Sequence, residues 1–160
     1  MADKKPTPRA GNRQIAANRR ARFEYEILEK FEAGIELVGP EVKSLRNGGG
    51  SITESYVIPI RGSLFIQGFH VRPYENGGYS NPSDPTRERR LLLQRREINK
   101  LIGAVSVKGM TIVPLRLYFN ERGWAKVEIG LARGKQLHDK REAIKERETK
   151  RELAREYKLR

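Results

Sequence analysis

Imidazole is the side chain best suited to acid–base work near neutral pH, and this 160-residue chain has two, His70 and His138, with no cysteine to join them. A zinc site needs several converging His or Cys ligands, and neither histidine has such a partner set around it. Serines are plentiful, but none sits beside a base at a nucleophile turn. Gly48-Gly49-Gly50 lacks the Gly-Lys-Ser/Thr ending and strand-to-helix setting of a phosphate loop, so it reads as a flexible turn. His70 reads as a core or rim residue of a strand. Catalysis is not expected, and neither is a metal or other cofactor.

The chemistry this composition favours is recognition of phosphate. Residues 1–22 hold seven Lys or Arg against one Asp, and residues 133–160 hold eleven against six Asp or Glu. These ends carry +6 and +5 of the formal +13, leaving +2 for residues 23–132. A nearly balanced body with two basic ends is the layout of a folded module that grips RNA or DNA with flexible arms, because each neutralised phosphate releases counterions. A solvated, solubilising surface is the plain alternative. Asn18-Arg19-Arg20-Ala21-Arg22 forms a basic arm whose amide and guanidinium groups can donate to phosphates and base edges. Lys43 and Arg46 share one short helix, and Arg87, Arg89, Arg90, Arg95 and Arg96 crowd a second region suited to a phosphate-facing surface. Tyr25, Phe65 and Tyr118 could stack on bases, but their alternating positions favour core packing.

The elements that must position these groups are mostly strands. Phe23, Tyr25 and Ile27 alternate with Glu24 and Glu26, and Phe31, Ile35 and Leu37 resume the pattern, which predicts a strand over 23–38 with a bulge or bend at Gly34. Pro40 sits where a first helical turn tolerates it, and Val42 with Leu45 makes a short amphipathic helix. Ser51 to Pro59 and Ser63 to His70 read as strands joined through Arg61-Gly62, and residues 73–86 as a long exposed loop. Asp84 before Pro85 signals a helix start, so a helix is predicted from about Pro85 to Leu101. Ala104 to Val107, Met110 to Phe119 and Trp124 to Leu131 are strand-like, with Asn120 to Gly123 as the last hairpin loop.

Six or so short antiparallel strands with helices at the ends predict a mainly β fold, an oligonucleotide-binding type of barrel. A split sheet with helices on one face is the structural alternative. The organisation expected is a basic arm over 1–22, a barrel body over 23–132 and a basic tail over 133–160. With few apolar side chains the tail cannot form a core, so it is expected to be disordered alone and helical when docked along a polyanionic groove. The absence of a secretory-type apolar start, of a membrane-length apolar run and of cysteine points to a soluble, cytoplasmic protein without a membrane partner.

Several motifs fall in one order along the chain: Phe31-Glu32-Ala33-Gly34, Glu41-Val42-Lys43-Ser44-Leu45-Arg46, Asp84-Pro85-Thr86-Arg87, Leu91-Leu92-Leu93, and Gly134-Lys135 followed by His138-Asp139-Lys140-Arg141. This set resembles the small protein B (SmpB) family, the bacterial partner of transfer-messenger RNA, from about Ile15 onward. The resemblance implies a non-enzymatic adaptor of ribosome rescue by trans-translation, acting as a monomer. Its barrel would hold the tRNA-like domain of transfer-messenger RNA, and its tail would enter the empty mRNA channel at the decoding centre of a stalled ribosome.

Carried onto this chain, the implied RNA-binding positions are Asn18, Arg19, Glu32, Leu92 and Arg133. Arg20, Arg22, Lys43 and Lys135 join them on charge. The implied ribosome-engaging positions are His138, Asp139, Lys140 and Arg141. A carboxylate such as Glu32 cannot favour phosphate but can accept from base or ribose donors. Gln94 and Gln136 depart from the family, which often has Asn and Lys there. A structural rRNA-binding protein of the ribosome is the rival reading, and an RNA-processing enzyme is a second.

Overall fold

The structure, a computed structural model, describes residues 13–134 and 137–158, without the side chains of 137–143 and 157–158. Its strands are β1 (Arg13–Ala17), β2 (Tyr25–Ile35), β3 (Gly50–Ser51), β4 (Tyr56–Ile60), β5 (Ser63–Gln67), β6 (His70–Val71), β7 (Arg89–Leu92), β8 (Met110–Phe119) and β9 (Ala125–Gly134). Its helices are α1 (Arg19–Glu24), α2 (Gly39–Arg46), α3 (Arg95–Val105) and α4 (Leu137–Lys158).

Every pairing is antiparallel, and the main sheet closes on itself. Its order is β1-β8-β4-β5-β7-β2-β9, and β9 also pairs with β8. The ring formed by β8, β9, β2, β7, β5 and β4 has no free edge between its members, which is the reason a barrel suits so small a chain. Alternation along β2 sends Phe31, Ala33 and Ile35 inward, against Leu64, Ile66, Leu91, Ile112, Leu117, Val127 and Ile129. Leu45 of α2 and Ile98 and Leu101 of α3 join the same core. Arg61 (φ 49°) and Gly62 (φ 76°) both lie in the left-handed region, and they close the expected β4–β5 hairpin with Ile60 opposite Ser63.

Several boundaries differ from the sequence expectation, each for a local reason. Residues 13–22 are not a free arm, since Arg13 pairs with Phe119 and Ala17 with Arg116 on β8, and α1 follows at once. Phe23 and Glu24 consequently belong to α1. β2 is unbroken at Gly34, and its irregularity lies between Ile27 and Glu29. Gly34 instead admits Leu92, whose Cβ would stand 3.3 Å from a Cβ added there. The predicted helix over 85–101 is divided. Asp84 spends its Oδ1 on the Thr86 N–H (2.9 Å) and hydroxyl (2.8 Å), which makes a tight turn into β7, and α3 starts only at Arg95. Ala104 and Val105 end that helix instead of starting a strand.

In the tail, residues 137–158 form one helix, α4. Residues 144–156 are exposed throughout, so burial does not hold it. After Gly134 no Gly or Pro interrupts a run rich in Glu, Lys, Arg, Leu and Ala, and summed propensity favours the helix even where charge pairs cancel. One lateral contact is a cation–π approach of Arg147 to the Phe23 ring of α1, 5.2 Å from its centroid.

A buried ion pair ties α2 to β7. Glu41 is 3% exposed and Arg89 1%. Arg89 donates from Nε (2.7 Å) and Nη2 to Glu41 Oε2, from Nη1 to the Phe69 (2.6 Å) and Arg87 (3.0 Å) carbonyls, and from Nη2 to the Pro85 carbonyl (3.0 Å). All five guanidinium N–H groups are thereby used. Glu41 Oε1 takes the Arg87 Nη2 and the Val38 N–H (3.1 Å), the latter one of the N-terminal donors of α2. Arg89 therefore does not belong to the phosphate-facing cluster expected from sequence, and Arg87, part-exposed, shares its guanidinium with Glu41.

Burial pushes the Glu41 carboxyl upward, but the hydrogen bonds from Arg87, Arg89 and Val38 prevail and hold it below the ordinary glutamate value. A depressed folded pKa stabilises the fold above the unfolded value, about 4.3, and that stability is lost as pH falls through the lower folded one. Glu41→Gln leaves a buried cation uncompensated and should cost about 3 kcal/mol at pH 7. Urea titrations should show the two proteins converging as pH drops from about 5 to 2. A constant difference over that window would contradict the assignment.

Candidate nucleic-acid interface

The inward turn of Phe31, Ala33 and Ile35 obliges their neighbours Lys30 and Glu32 to face outward. Register then decides what surrounds Glu32. Glu128 on β9 lies opposite Glu32, while Lys126 and Leu92 lie opposite Gly34 from its two sides. On β8, Arg116 is opposite Glu128 and Tyr118 opposite Lys126. Glu32 and Leu92, sixty residues apart in sequence, thus share one ribbon of the outer barrel surface.

Two carboxylates directly opposite would repel. Here Glu128 is drawn to cations, with Arg116 Nε 3.1 Å from Oε2 and Lys30 Nζ 3.9 Å from Oε1. Glu32 Oε2 instead accepts the hydroxyl of Tyr118, whose side chain is 2% exposed. Burial above all, then the hydrogen bond and charge of Glu32, hold the Tyr118 phenol well above its ordinary value, so it remains a protonated donor. The Arg116 guanidinium lies 4.6 Å from the centroid of the same ring.

A groove of about 870 Å³ adjoins this patch. Its floor includes Leu37, Val42 and the exposed Val38, Leu92 and Trp124, and its basic rim includes Arg46, Arg87, Arg122 and Lys126. Trp124 is 66% exposed. The β8–β9 loop presents it, with Asn120 Oδ1 accepting from the Arg122 (3.1 Å) and Trp124 (2.9 Å) N–H groups. A flat aromatic face among cations can stack an unpaired base while its phosphates are held. The sequence pattern placed Trp124 at the head of a strand and did not single it out as a candidate contact. The signal available was the single tryptophan of the chain set between Arg122 and Lys126 next to a hairpin loop.

The remaining expected contacts are dispersed. Asn18 is buried, and its amide is committed inside the protein. Oδ1 caps α1 by accepting from Ala21 N–H (3.2 Å), Nδ2 donates to the Pro114 carbonyl (3.0 Å), and the backbone N–H donates to the Leu115 carbonyl (2.8 Å). The amide has a structural role, placing the exposed Arg19, Arg20 and Arg22. Ala21 packs beneath them on Val113, Leu115 and Ala132, a small second core outside the barrel. Arg20 pairs with Glu24 (2.8 Å) and Glu54 (3.5 Å).

Lys43 is exposed on α2, 5.6 Å from the Tyr74 ring centroid. Arg133 is exposed at the end of the β2–β9 pair, 3.4 Å from Glu26. Of the arginine cluster expected near α3, Arg90, Arg95 and Arg96 are exposed. His138, Asp139, Lys140 and Arg141 lie in the first turns of α4, their side chains outside the described residues, as is the whole of Lys135. His70 is an exposed rim residue paired with Ser51. Among the described residues no group of three or more His, Cys, Asp or Glu could hold a metal, and no helix is long and apolar enough to cross a membrane.

The model of the SmpB protein family matches residues 15–159. An SsrA-binding protein of Synechococcus sp. (strain JA-3-3Ab) is 54% identical over 144 residues, 90% of this chain and 93% of the relative. One from Chlorobaculum tepidum is 52% identical over 86% of this chain and 87% of its own. A solved chain described under "tmRNA-SmpB: a journey to the center of the bacterial ribosome" is similar with a TM-score of 0.64 and 52% identity, over 80% of this chain and 92% of that one.

Because Asn18 caps α1 and satisfies a buried carbonyl, Asn18→Ala should cost about 1–3 kcal/mol of stability. An unchanged urea midpoint in that variant would show that the buried amide does not anchor α1.

Proposed function

This chain belongs to the SmpB protein family, and on that premise we propose that it is an RNA-binding adaptor of trans-translation. It binds the tRNA-like domain of transfer-messenger RNA and delivers it to stalled ribosomes in the bacterial cytoplasm. It performs no reaction of its own, and a single copy acts. The observation that carries this reading is the outer barrel ribbon where Glu32, Leu92 and Lys126 meet the groove of Trp124. That surface offers a stacking face, phosphate-directed cations and a carboxylate acceptor on a rigid support, the combination that recognises folded RNA with exposed bases.

The fold supports a division of labour. The barrel and α1 hold the RNA through Arg19, Arg20, Arg22, Glu32, Lys43, Leu92, Arg133 and Lys135, with Asn18 fixing the start of α1. α4 begins three residues after β9 ends, so the motif His138 to Arg141 lies at the root of a 22-residue helix. Such a helix is about 33 Å long, long enough to run down the empty mRNA channel from the decoding centre. His138 can stack on an exposed base, and Lys140 and Arg141 can meet ribosomal RNA phosphates.

Changing Asp139, Lys140 and Arg141 together to Ala should leave affinity for transfer-messenger RNA within about twofold while abolishing tagging on stalled ribosomes, since few phosphate contacts to the tRNA-like domain are removed. Normal tagging by that variant would refute the tail assignment. Trp124→Ala should weaken binding of the tRNA-like domain about tenfold, the value of one lost base stack, without changing the melting temperature. Unaltered affinity would remove the groove from the interface. RNA that copurifies after a high-salt wash, identified by sequencing, should be dominated by transfer-messenger RNA.

A further inference from the structure

Glu32 is an exposed acid on a surface built to meet a polyanion, and it is held by a neutral donor. Its neighbour Glu128 is engaged by Arg116 and Lys30, whereas the Glu32 carboxylate takes the hydroxyl of the buried Tyr118. The distinction matters physically. A guanidinium in that place would cancel the charge of Glu32, while a phenol hydroxyl fixes its direction and leaves the negative charge to strengthen any further hydrogen bond it accepts. The phenol is itself immobilised, since its ring is buried on β8 under the Arg116 guanidinium.

We propose that Tyr118 is a positioning residue of the RNA interface: its hydroxyl, held on Glu32 Oε2, locks the carboxylate so that the other oxygen faces outward as the acceptor for a nucleobase N–H or ribose hydroxyl. The inference rests on the reading that Glu32 touches RNA. A fixed, charged acceptor rewards a donor placed at one point and repels a phosphate that arrives there in a wrong register, so the pair contributes selectivity more than affinity. Its carboxylate would otherwise rotate on a flexible stem and lose that discrimination.

The test is a double-mutant cycle of Tyr118→Phe and Glu32→Ala, read by the dissociation constants for the tRNA-like domain of transfer-messenger RNA and for an unrelated tRNA, with thermal melting beside them. Tyr118→Phe should weaken the first complex about tenfold and leave the second unchanged, the loss expected for one hydrogen bond to a charged group. In the Glu32→Ala background the same change should alter either affinity less than twofold, because nothing remains to be positioned. Weakened binding by Glu32→Ala with none by Tyr118→Phe would overturn the positioning role and leave the Glu32 contact standing. Unchanged binding by Glu32→Ala would overturn both, and equal losses on the two RNAs would reduce Tyr118 to a structural residue. If Tyr118→Phe melts too low to assay, the unaltered protein decides by NMR. A Tyr118 hydroxyl proton protected from exchange and retained in the RNA complex supports the lock, and its loss on adding RNA refutes it.

Discussion

The pairing of Glu41 with Arg89 is the constraint on which the rest of the molecule depends. One guanidinium, entirely buried, joins α2 to β7, to the carbonyl of Phe69 after β5 and to the turn of Pro85 and Arg87. These segments are distant in sequence and meet at one end of the barrel. Leu45, on the same helix as Glu41, reaches the core only if α2 lies where that carboxylate puts it. A buried ion pair of this kind adds little net energy over a well-packed apolar substitute, but a misplaced one leaves a charge without a counter-ion, so it enforces a single arrangement. The outer groove shares that support, because Arg87 contacts Glu41 and also stands on the groove rim.

Barrel closure turns sequence separation into spatial order. With six strands in register, a residue's outward neighbours are set by pairing, and a shift of one position would bury Glu32 and expose Phe31 and Ala33. The irregularity of β8 between Pro114 and Arg116 divides its outer face into an apolar half, covered by α1 through Val113 and Leu115, and a polar half where Tyr118 meets Glu32 and Arg116 meets Glu128. The Glu32–Tyr118 pair and the helix that carries the arginines are thereby held side by side on one strand. Exposed loops would lose more conformational freedom on binding than this surface does.

Much of the architecture was legible as pattern. Alternation marked β2, strand-like runs marked β8 and β9, the Arg61-Gly62 pair marked the β4–β5 hairpin, and Pro40 with Val42 and Leu45 marked α2, because each is a local preference that the fold did not override. Residues 85–101 misled, since Asp84 can begin a helix or close an Asx turn with equal chemistry, and only the pairing of Arg89 to Leu92 with β2 and β5 selected the turn. The basic stretch before residue 23 misled in a different way. Its charge suited an arm, but β8 runs on past its pairing with β4 at Ile112, and Arg13 to Ala17 complete that stretch over Arg116 to Phe119.

Family, charge layout and the tail motif belong to sequence by itself, because they are properties of residue order that no packing alters. Which cations stay exposed was decided by tertiary structure alone. Arg87 and Arg89 look the same as Arg90 in the chain, yet a buried carboxylate contributed from forty-six and forty-eight residues away claims the first two. Likewise the union of Glu32 with Tyr118, eighty-six residues apart, and the meeting of Leu92 with Trp124 arise from register across a closed sheet. A linear pattern carries the period of a strand but not the identity of the strand opposite, and it is the opposite strand that makes these residues into a site.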